Sequence, residues 1–282
     1  MIRLSDVTYT YPDAPGPTLE HVSLDVAKGT ITGVLGASGA GKTTLAKIIA
    51  GFIPQVDGGE VTGTIEVDGQ DLTRLTLVEA VSRVGLVIQN PFNQISGARY
   101  SVREELAFGM ENFGTPREEM ARRVAEVADL LRITPLLDRS PYALSGGQMQ
   151  LVAIASMLVL RTPVLVMDEP TSQLDPAGTR LVFDVLSRLT EAGVTVIVFE
   201  HKLELLHEHA SRLLVIADRT IAASGDPTAI LADPRTDAWG VGATRYTRAG
   251  RLAGERGLLP ASTPLPVSFD QAVATFSRGG RS

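Results

Sequence analysis

An α/β fold, a parallel sheet with crossover helices, is what this sequence predicts, and three observations carry the prediction. Runs of β-branched and aliphatic residues at 31–35, 164–167 and 194–199 are continuous rather than alternating, as in strands covered on both faces. A helical pattern around 177–189 lies between two of them, the alternation that crossover connections produce. A glycine-rich segment and a pair of acids follow directly on such runs, at the strand ends where open α/β sheets bind ligands.

Composition narrows the class. The 282 residues suffice for a substantial core, and 44% hydrophobic with 21% charged residues is the make-up of a soluble globular chain. A net charge of −6 gives no overall basic footprint, so no broad grip on nucleic acid is expected. The absence of cysteine removes disulfides, thiolate catalysis and zinc-thiolate sites, and matches a cytosolic protein. The longest apolar run, 151–160, stops at Arg161 and is about half of the roughly 18 residues that a bilayer span needs. Residues 1–13 hold no apolar core of an export signal. Any membrane role is therefore expected to come through a partner.

Along the chain, short strands at 7–11, 22–26 and 31–35 are separated by turn-rich pieces such as 12–17, and 63–67 and 84–88 read as two more. From 102 to 131 the period becomes helical, with Leu106, Val124, Val127, Ala128 and Leu131 among the apolar positions. This marks a helical insert over about 90–160. The strands and helix of the opening paragraph follow, and one domain spans 1–233. Beyond it, 234–282 is rich in Arg, Gly and Pro, with Arg235, Arg245, Arg248, Arg251, Arg256, Arg278 and Arg281 against Asp237, Glu255 and Asp270. An irregular, partly mobile extension is expected there, with contact to anionic lipid or a partner as the sharper alternative.

The chemistry begins at Gly36-Ala-Ser38-Gly39-Ala-Gly41-Lys42-Thr43-Thr44, between the 31–35 strand and a helical run over 45–50. Strand, glycine loop and helix are the setting of a P-loop. The glycines let backbone N–H groups turn towards phosphates, and the helix start adds a field favourable to anions. Lys42 supplies a cation and Thr43 a hydroxyl for Mg²⁺. A chance match of this pattern in such a chain is on the order of one per cent. At the end of 164–167 stand Asp168 and Glu169. Asp168 suits a Mg²⁺ shell. Glu169 suits orientation and deprotonation of an attacking water. A second glycine-rich helix start, Leu144-Ser145-Gly146-Gly147-Gln148, has Ser145 as its cap and its amides free for an anion.

In order, the P-loop, Gln89, Leu144-Ser145-Gly146-Gly147-Gln148, Asp168-Glu169, Ser172-Gln-Leu-Asp175 and His201 resemble the motif series of ABC ATPases over about residues 1–230. The resemblance implies a P-loop NTPase core with an N-terminal antiparallel β subdomain and an inserted α-helical subdomain. It further implies ATP and Mg²⁺ as ligands, and hydrolysis coupled to transport. By it, Tyr11 stacks on adenine, with Tyr9 as the rival. Gln89 links Mg²⁺ and the attacking water to the helical insert, Asp175 crosses a dimer interface and His201 contacts the γ-phosphate. His207 and His209 are expected to be surface residues. In the family two subunits pair head to tail, so that nucleotide lies between one P-loop and the partner's helix start corresponding to Ser145–Gln148.

Gln89-Asn-Pro-Phe92-Asn-Gln94, Ser101-Val-Arg-Glu-Glu-Leu-Ala-Phe-Gly109 and Pro116-Arg-Glu-Glu-Met120 look like the ATPase components of energy-coupling factor importers and related cobalt and nickel systems. Glu200-His201-Lys202-Leu203-Glu204 resembles a variant in vitamin-type members. The implied partners are a second ATPase subunit, a transmembrane coupling protein and a substrate-binding membrane protein, with this chain peripheral on the cytoplasmic face. Phe92 stands where an acid is usual and Leu151 where arginine is common, which bears on docking and on efficiency of the composite site. Another ABC importer or exporter motor is the alternative. A soluble ABC ATPase acting on nucleic acid or ribosomes would want a basic face or a long coiled coil, and neither is written here.

Overall fold

The computed structural model describes residues 2–260 and 262–279, with the side chains of 278 and 279 left aside. Strands β1 (Ile2–Thr10) and β2 (Leu19–Val26) pair antiparallel, then β3 (Ile31–Gly36) leads into α1 (Lys42–Ile49). Next come β4 (Glu60–Val67), β5 (Gln70–Asp71), α2 (Leu77–Val81) and β6 (Val84–Val87). Three helices follow: α3 (Val102–Asn112), α4 (Arg117–Leu130) and α5 (Gly146–Leu158). The chain then returns through β7 (Val164–Asp168), α6 (Pro176–Glu191), β8 (Thr195–Phe199) and α7 (Leu203–His209). It continues through β9 (Arg212–Ala217), β10 (Thr220–Gly225), α8 (Pro227–Ala232), α9 (Arg245–Glu255) and α10 (Phe269–Gly279).

Two sheets result. One is antiparallel in the order β2-β1-β4-β5; the other runs β10-β9-β3-β8-β7-β6, parallel except for the β9–β10 hairpin. The α/β class, the N-terminal antiparallel part and the helical insertion are as the sequence predicts.

The continuous apolar runs are explained by two cores, one on each face of the larger sheet. Leu165, Met167, Val196, Val198, Leu213 and Val215 enter a core shared with α3–α6. Their chain neighbours Val164, Val166, Ile197, Phe199, Leu214 and Ile216 enter the other, shared with α1 and the antiparallel sheet. Every position is therefore buried and no polar alternation survives. The sheet's carboxyl edge, where β3 and β7 end, is held rigidly from both sides.

Several local expectations shift. The helical stretch 102–131 is two helices, broken between Phe113 and Pro116 because proline restricts the residue before it and starts α4 as its N-cap. Strand β1 begins five residues before the predicted Val7, and β9 and β10 go unread in the sequence. The extension is not irregular: α9 and α10 form in it, Thr247 Oγ1 donates to Pro266 O at 2.9 Å, and Val267, fully buried, joins the main core. Its arginines are largely committed, Arg235 to Asp233, Arg245 to Glu204, Arg251 to Asp237 and Arg248 to the Ala243 carbonyl. Arg281 and the Arg278 side chain lie outside the described residues. Among those described, no helix is long and apolar enough to cross a membrane.

Candidate functional site

The loop between β3 and α1 is shaped by its glycines. Gly41 caps α1 in a left-handed conformation, φ 99°, and a Cβ there would meet Leu19 Cδ2 at 2.7 Å. Gly39 has nothing within 4 Å of a would-be Cβ, so the outer side of the loop is an open cradle. Ser38 beside it is exposed. Lys42 is buried, and its Nζ donates to Gly36 O and Ala37 O, both at 3.0 Å. Burial pushes the Lys42 ammonium below its ordinary pKa, while Glu169 and Asp168 act in the opposite direction.

Both acids at the end of β7 lie close enough to Lys42 to act on its charge. Asp168, 3% exposed, accepts from Thr43 Oγ1 at 2.6 Å. Burial raises its carboxyl above the usual range against that hydrogen bond. Glu169 is more open, and two exposed side chains flank it: Gln89 Nε2 donates to Oε2 at 2.8 Å, and His201 Nε2 lies 3.0 Å from Oε1. Gln89 comes from the loop after β6 and His201 from the loop after β8, the strands on either side of β7. Neighbouring strand ends thus bring residues 89, 169 and 201 together.

The two candidate tyrosines differ in burial. Tyr9 is fully buried, with its hydroxyl donating to Gly58 O at 3.0 Å. Desolvation pushes its phenol up to about 12. Tyr11 is half-exposed, and its hydroxyl lies 3.1 Å from Thr44 Oγ1 on α1. Of the two, Tyr11 is the one that retains exposure beside α1.

The second glycine-rich start stands apart. Ser145 and Gln148 complete a capping box at the head of α5, Gln148 N to Ser145 Oγ at 3.3 Å and Ser145 N to Gln148 Oε1 at 3.0 Å. The amides of Gly146 and Gly147 are left without helical partners. Would-be Cβ atoms on those glycines point at Gln173, on the loop beyond Glu169. Asp175 is exposed and caps α6 through Gly178 N at 2.6 Å. Residues 145–148 and 175 therefore share one flank of the chain, next to the loop that leaves the acidic pair. Leu151 packs on the main core, whereas Phe92 is 58% exposed.

The sequence names Glu200 and Lys202 only within a family variant and gives no role to them or to Thr171; in the structure Glu200 accepts from Thr171 N–H at 3.2 Å and Lys202 donates to Thr171 O at 2.9 Å. Sequence reasoning also placed His207 and His209 on the surface; both are half-buried, hydrogen-bonded to Thr228 and Ser187. The donor set fits a magnesium triphosphate. A buried ammonium, an open glycine cradle and a helix start suit the anion, and the oxygens of Thr43, Asp168 and Gln89 are the hard ligands that Mg²⁺ prefers.

Comparison with known proteins gives the same picture. The family model described as ABC transporter matches residues 19–172. An energy-coupling factor transporter ATP-binding protein of Lacticaseibacillus paracasei is 41% identical over 231 residues, 82% of this chain and 80% of that protein. The structure of cbiO1 from Clostridium perfringens, part of the ABC transporter complex cbiONQ, superposes with a TM-score of 0.73 at 26% identity, covering 90% of this chain and 98% of that one. A dimeric ATP-binding cassette in a post-hydrolysis state, bound to ADP and Pi, gives 0.71 at 25% identity, covering 80% and 99%.

Proposed function

Because the chain belongs to the ABC transporter family of ATP-binding proteins, whose members are ATPases, we propose that it is the motor of an energy-coupling factor-type importer, hydrolysing MgATP at the site built on Lys42, Asp168 and Glu169. The observation that carries the reading is the convergence on Glu169. Its carboxylate sits at a strand end beside the phosphate loop, held by Gln89 on one oxygen and His201 on the other.

In this reading Gly36, Ser38, Gly39 and Gly41 line the phosphates with backbone amides, Lys42 and Thr44 hold them, and Tyr11 stacks on the base. Thr43, Asp168 and Gln89 would hold Mg²⁺, which when bound neutralises charge on the phosphate oxygens. Glu169 takes a proton as the water oxygen bonds to the γ-phosphorus and the bond to the β-phosphate oxygen breaks, leaving ADP and phosphate. His201, whose Nε2 lies 3.0 Å from Glu169 Oε1, fixes the angle of that carboxylate. The free amides of Gly146 and Gly147, with Ser145, Gln148 and Asp175, serve the partner's nucleotide in a head-to-tail dimer. That placement is supported by their shared flank and by the dimeric cassette among the structural relatives.

Peripheral attachment to a membrane assembly, with a coupling protein and a substrate-binding subunit as partners and a vitamin or transition-metal ion as cargo, is supported by the energy-coupling factor relative and by the exposed aromatics Phe92, Tyr100 and Tyr142. The Tyr142 hydroxyl donates to Gly97 O at 3.1 Å and so brings its turn beside the loop after Gln89. Glu169→Gln should keep MgATP affinity and lower phosphate release by about 10²–10⁴. Wild-type turnover in that variant would remove Glu169 from the role. Solubilised membranes carrying tagged chain should yield a co-purifying integral membrane subunit, and recovery of soluble proteins alone would overturn the transport assignment.

A further inference from the structure

Glu200 follows β8 directly and is 3% exposed. A buried carboxylate is costly unless its oxygens are hydrogen-bonded. Here donors meet both oxygens: Oε1 accepts from Thr171 N–H at 3.2 Å and from the Thr171 hydroxyl, and Oε2 accepts from His201 N–H at 3.0 Å. Lys202 adds to the grip, its Nζ donating to Thr171 O and to Thr179 Oγ1, both at 2.9 Å. Residues 200–202 therefore hold the N–H, the hydroxyl and the carbonyl of Thr171, just beyond Glu169-Pro170.

These links close a ring. Glu169 meets His201 through side chains, His201 meets Glu200 through its own N–H, Glu200 meets Thr171, and Thr171 returns through Pro170 to Glu169. A brace crosses it, Glu169 N–H to Phe199 O at 2.9 Å. We propose that Glu200 is a positioning residue for ATP hydrolysis, its carboxylate fixing the separation of Glu169 and His201 by holding the His201 backbone and Thr171 at once. This rests on the assignment of Glu169 and His201 given above. An amide of the same shape cannot replace the carboxylate, since its NH₂ would face either the His201 N–H or the donors of Thr171.

The test uses the full chain, in the assembly that supports its ATP turnover. Glu200→Gln should lower kcat about tenfold while KM and nucleotide Kd stay within about twofold, because geometry is lost and not binding. Added to His201→Ala, it should lower kcat by less than about twofold more, since the separation it fixes no longer exists without the His201 side chain. Thr171→Val should reduce kcat in the same direction, and Thr171→Ser, which keeps the hydroxyl, should lie closer to wild type. Unchanged turnover in Glu200→Gln would overturn the proposal, as would losses that multiply fully with those of His201→Ala, or a parallel fall in nucleotide affinity. A wild-type rate in His201→Ala alone would strike the catalytic assignment, and the positioning role with it.

Discussion

Gly240 offers a sharp test of how the C-terminal extension bears on the nucleotide site. It sits in the left-handed region, φ 67°, and a Cβ there would stand 2.6 Å from Ala37 Cβ and 3.2 Å from Ala37 Cα. Ala37 belongs to the phosphate loop, and its carbonyl accepts from Lys42 Nζ at 3.0 Å. Gly240→Ala therefore carries two costs. Holding a non-glycine residue left-handed costs about 1–2 kcal/mol. The contact with a methyl fixed to the loop backbone adds about 1–3 kcal/mol, because no flexible side chain can move aside. Gly242 separates the two: its φ is 75° and nothing lies within 4 Å of a would-be Cβ, so Gly242→Ala carries the first cost alone.

Urea denaturation of both variants should show losses of about 2–5 kcal/mol for Gly240→Ala and about 1–2 kcal/mol for Gly242→Ala. Calorimetric titration with MgATP should show affinity reduced about tenfold in the first, equivalent to about 1.4 kcal/mol displaced onto the loop, and unchanged in the second. Equal stability losses with equal affinities would refute the argument, since the extension would then exert no force on the loop.

Two further outcomes follow from the tyrosines. Tyr11→Ala should weaken MgATP binding by about 1–3 kcal/mol of base stacking while Tyr11→Phe, which loses only the contact with Thr44, should bind nearly as wild type; equal affinities in titration would remove Tyr11 from the adenine site. Tyr9 makes stability depend on alkaline pH. Its folded-state pKa, near 12, exceeds the ordinary value of 10.0, so between those values the folded chain holds more protons than the unfolded one and stability falls as pH rises. The contribution is complete below pH ~10 and about 2–3 kcal/mol is lost by pH ~12. Denaturation midpoints at pH 9 and 11.5 should differ by correspondingly less in Tyr9→Phe, and an identical pH dependence in that variant would refute the assignment.

What the sequence made legible was whatever it states locally. Strands β3, β7 and β8 were readable because burial on both faces leaves an unbroken apolar run, and the phosphate loop because strand, glycines and helix are contiguous. The same signal stands at 212–217, where Leu213-Leu-Val-Ile216 is as apolar as the others, so β9 was readable and went unread. β10 was not: Thr-Ile-Ala-Ala-Ser-Gly has weak strand preference and is placed by pairing with β9. The start of β1 was hidden by its solvent-facing residues Arg3 and Ser5. The extension's arginines, glycines and prolines read as irregular. Its anchors in the core, Val267 with the partly buried Trp239 and Val241, are scattered and carry no periodicity. Glu200 was beyond reach for another reason, since the residue it holds is 29 positions away.

The acidic pair shows most clearly where residue identity and geometry part. Successive side chains of a strand point to opposite faces, so Asp168 and Glu169, read as a simple continuation of β7, could not both serve one site. In the function proposed above they do so because Glu169 turns into the left-handed region, φ 47°, which breaks the alternation. Both acids then act on the Lys42 ammonium, Asp168 from a buried position and Glu169 from a half-exposed one. That backbone state costs about 1–3 kcal/mol in a non-glycine residue and persists only if surrounding contacts impose it. The contacts that flank it are the Glu169 N–H bond to Phe199 O and the grip of Glu200 and Lys202 on Thr171. Glycine at 169 would relieve the strain and lose the carboxylate; alanine would keep the strain and lose the carboxylate as well. Only a carboxylate held left-handed by its neighbours meets both demands, which ties the buried residues behind Glu169 to the chemistry in front of it.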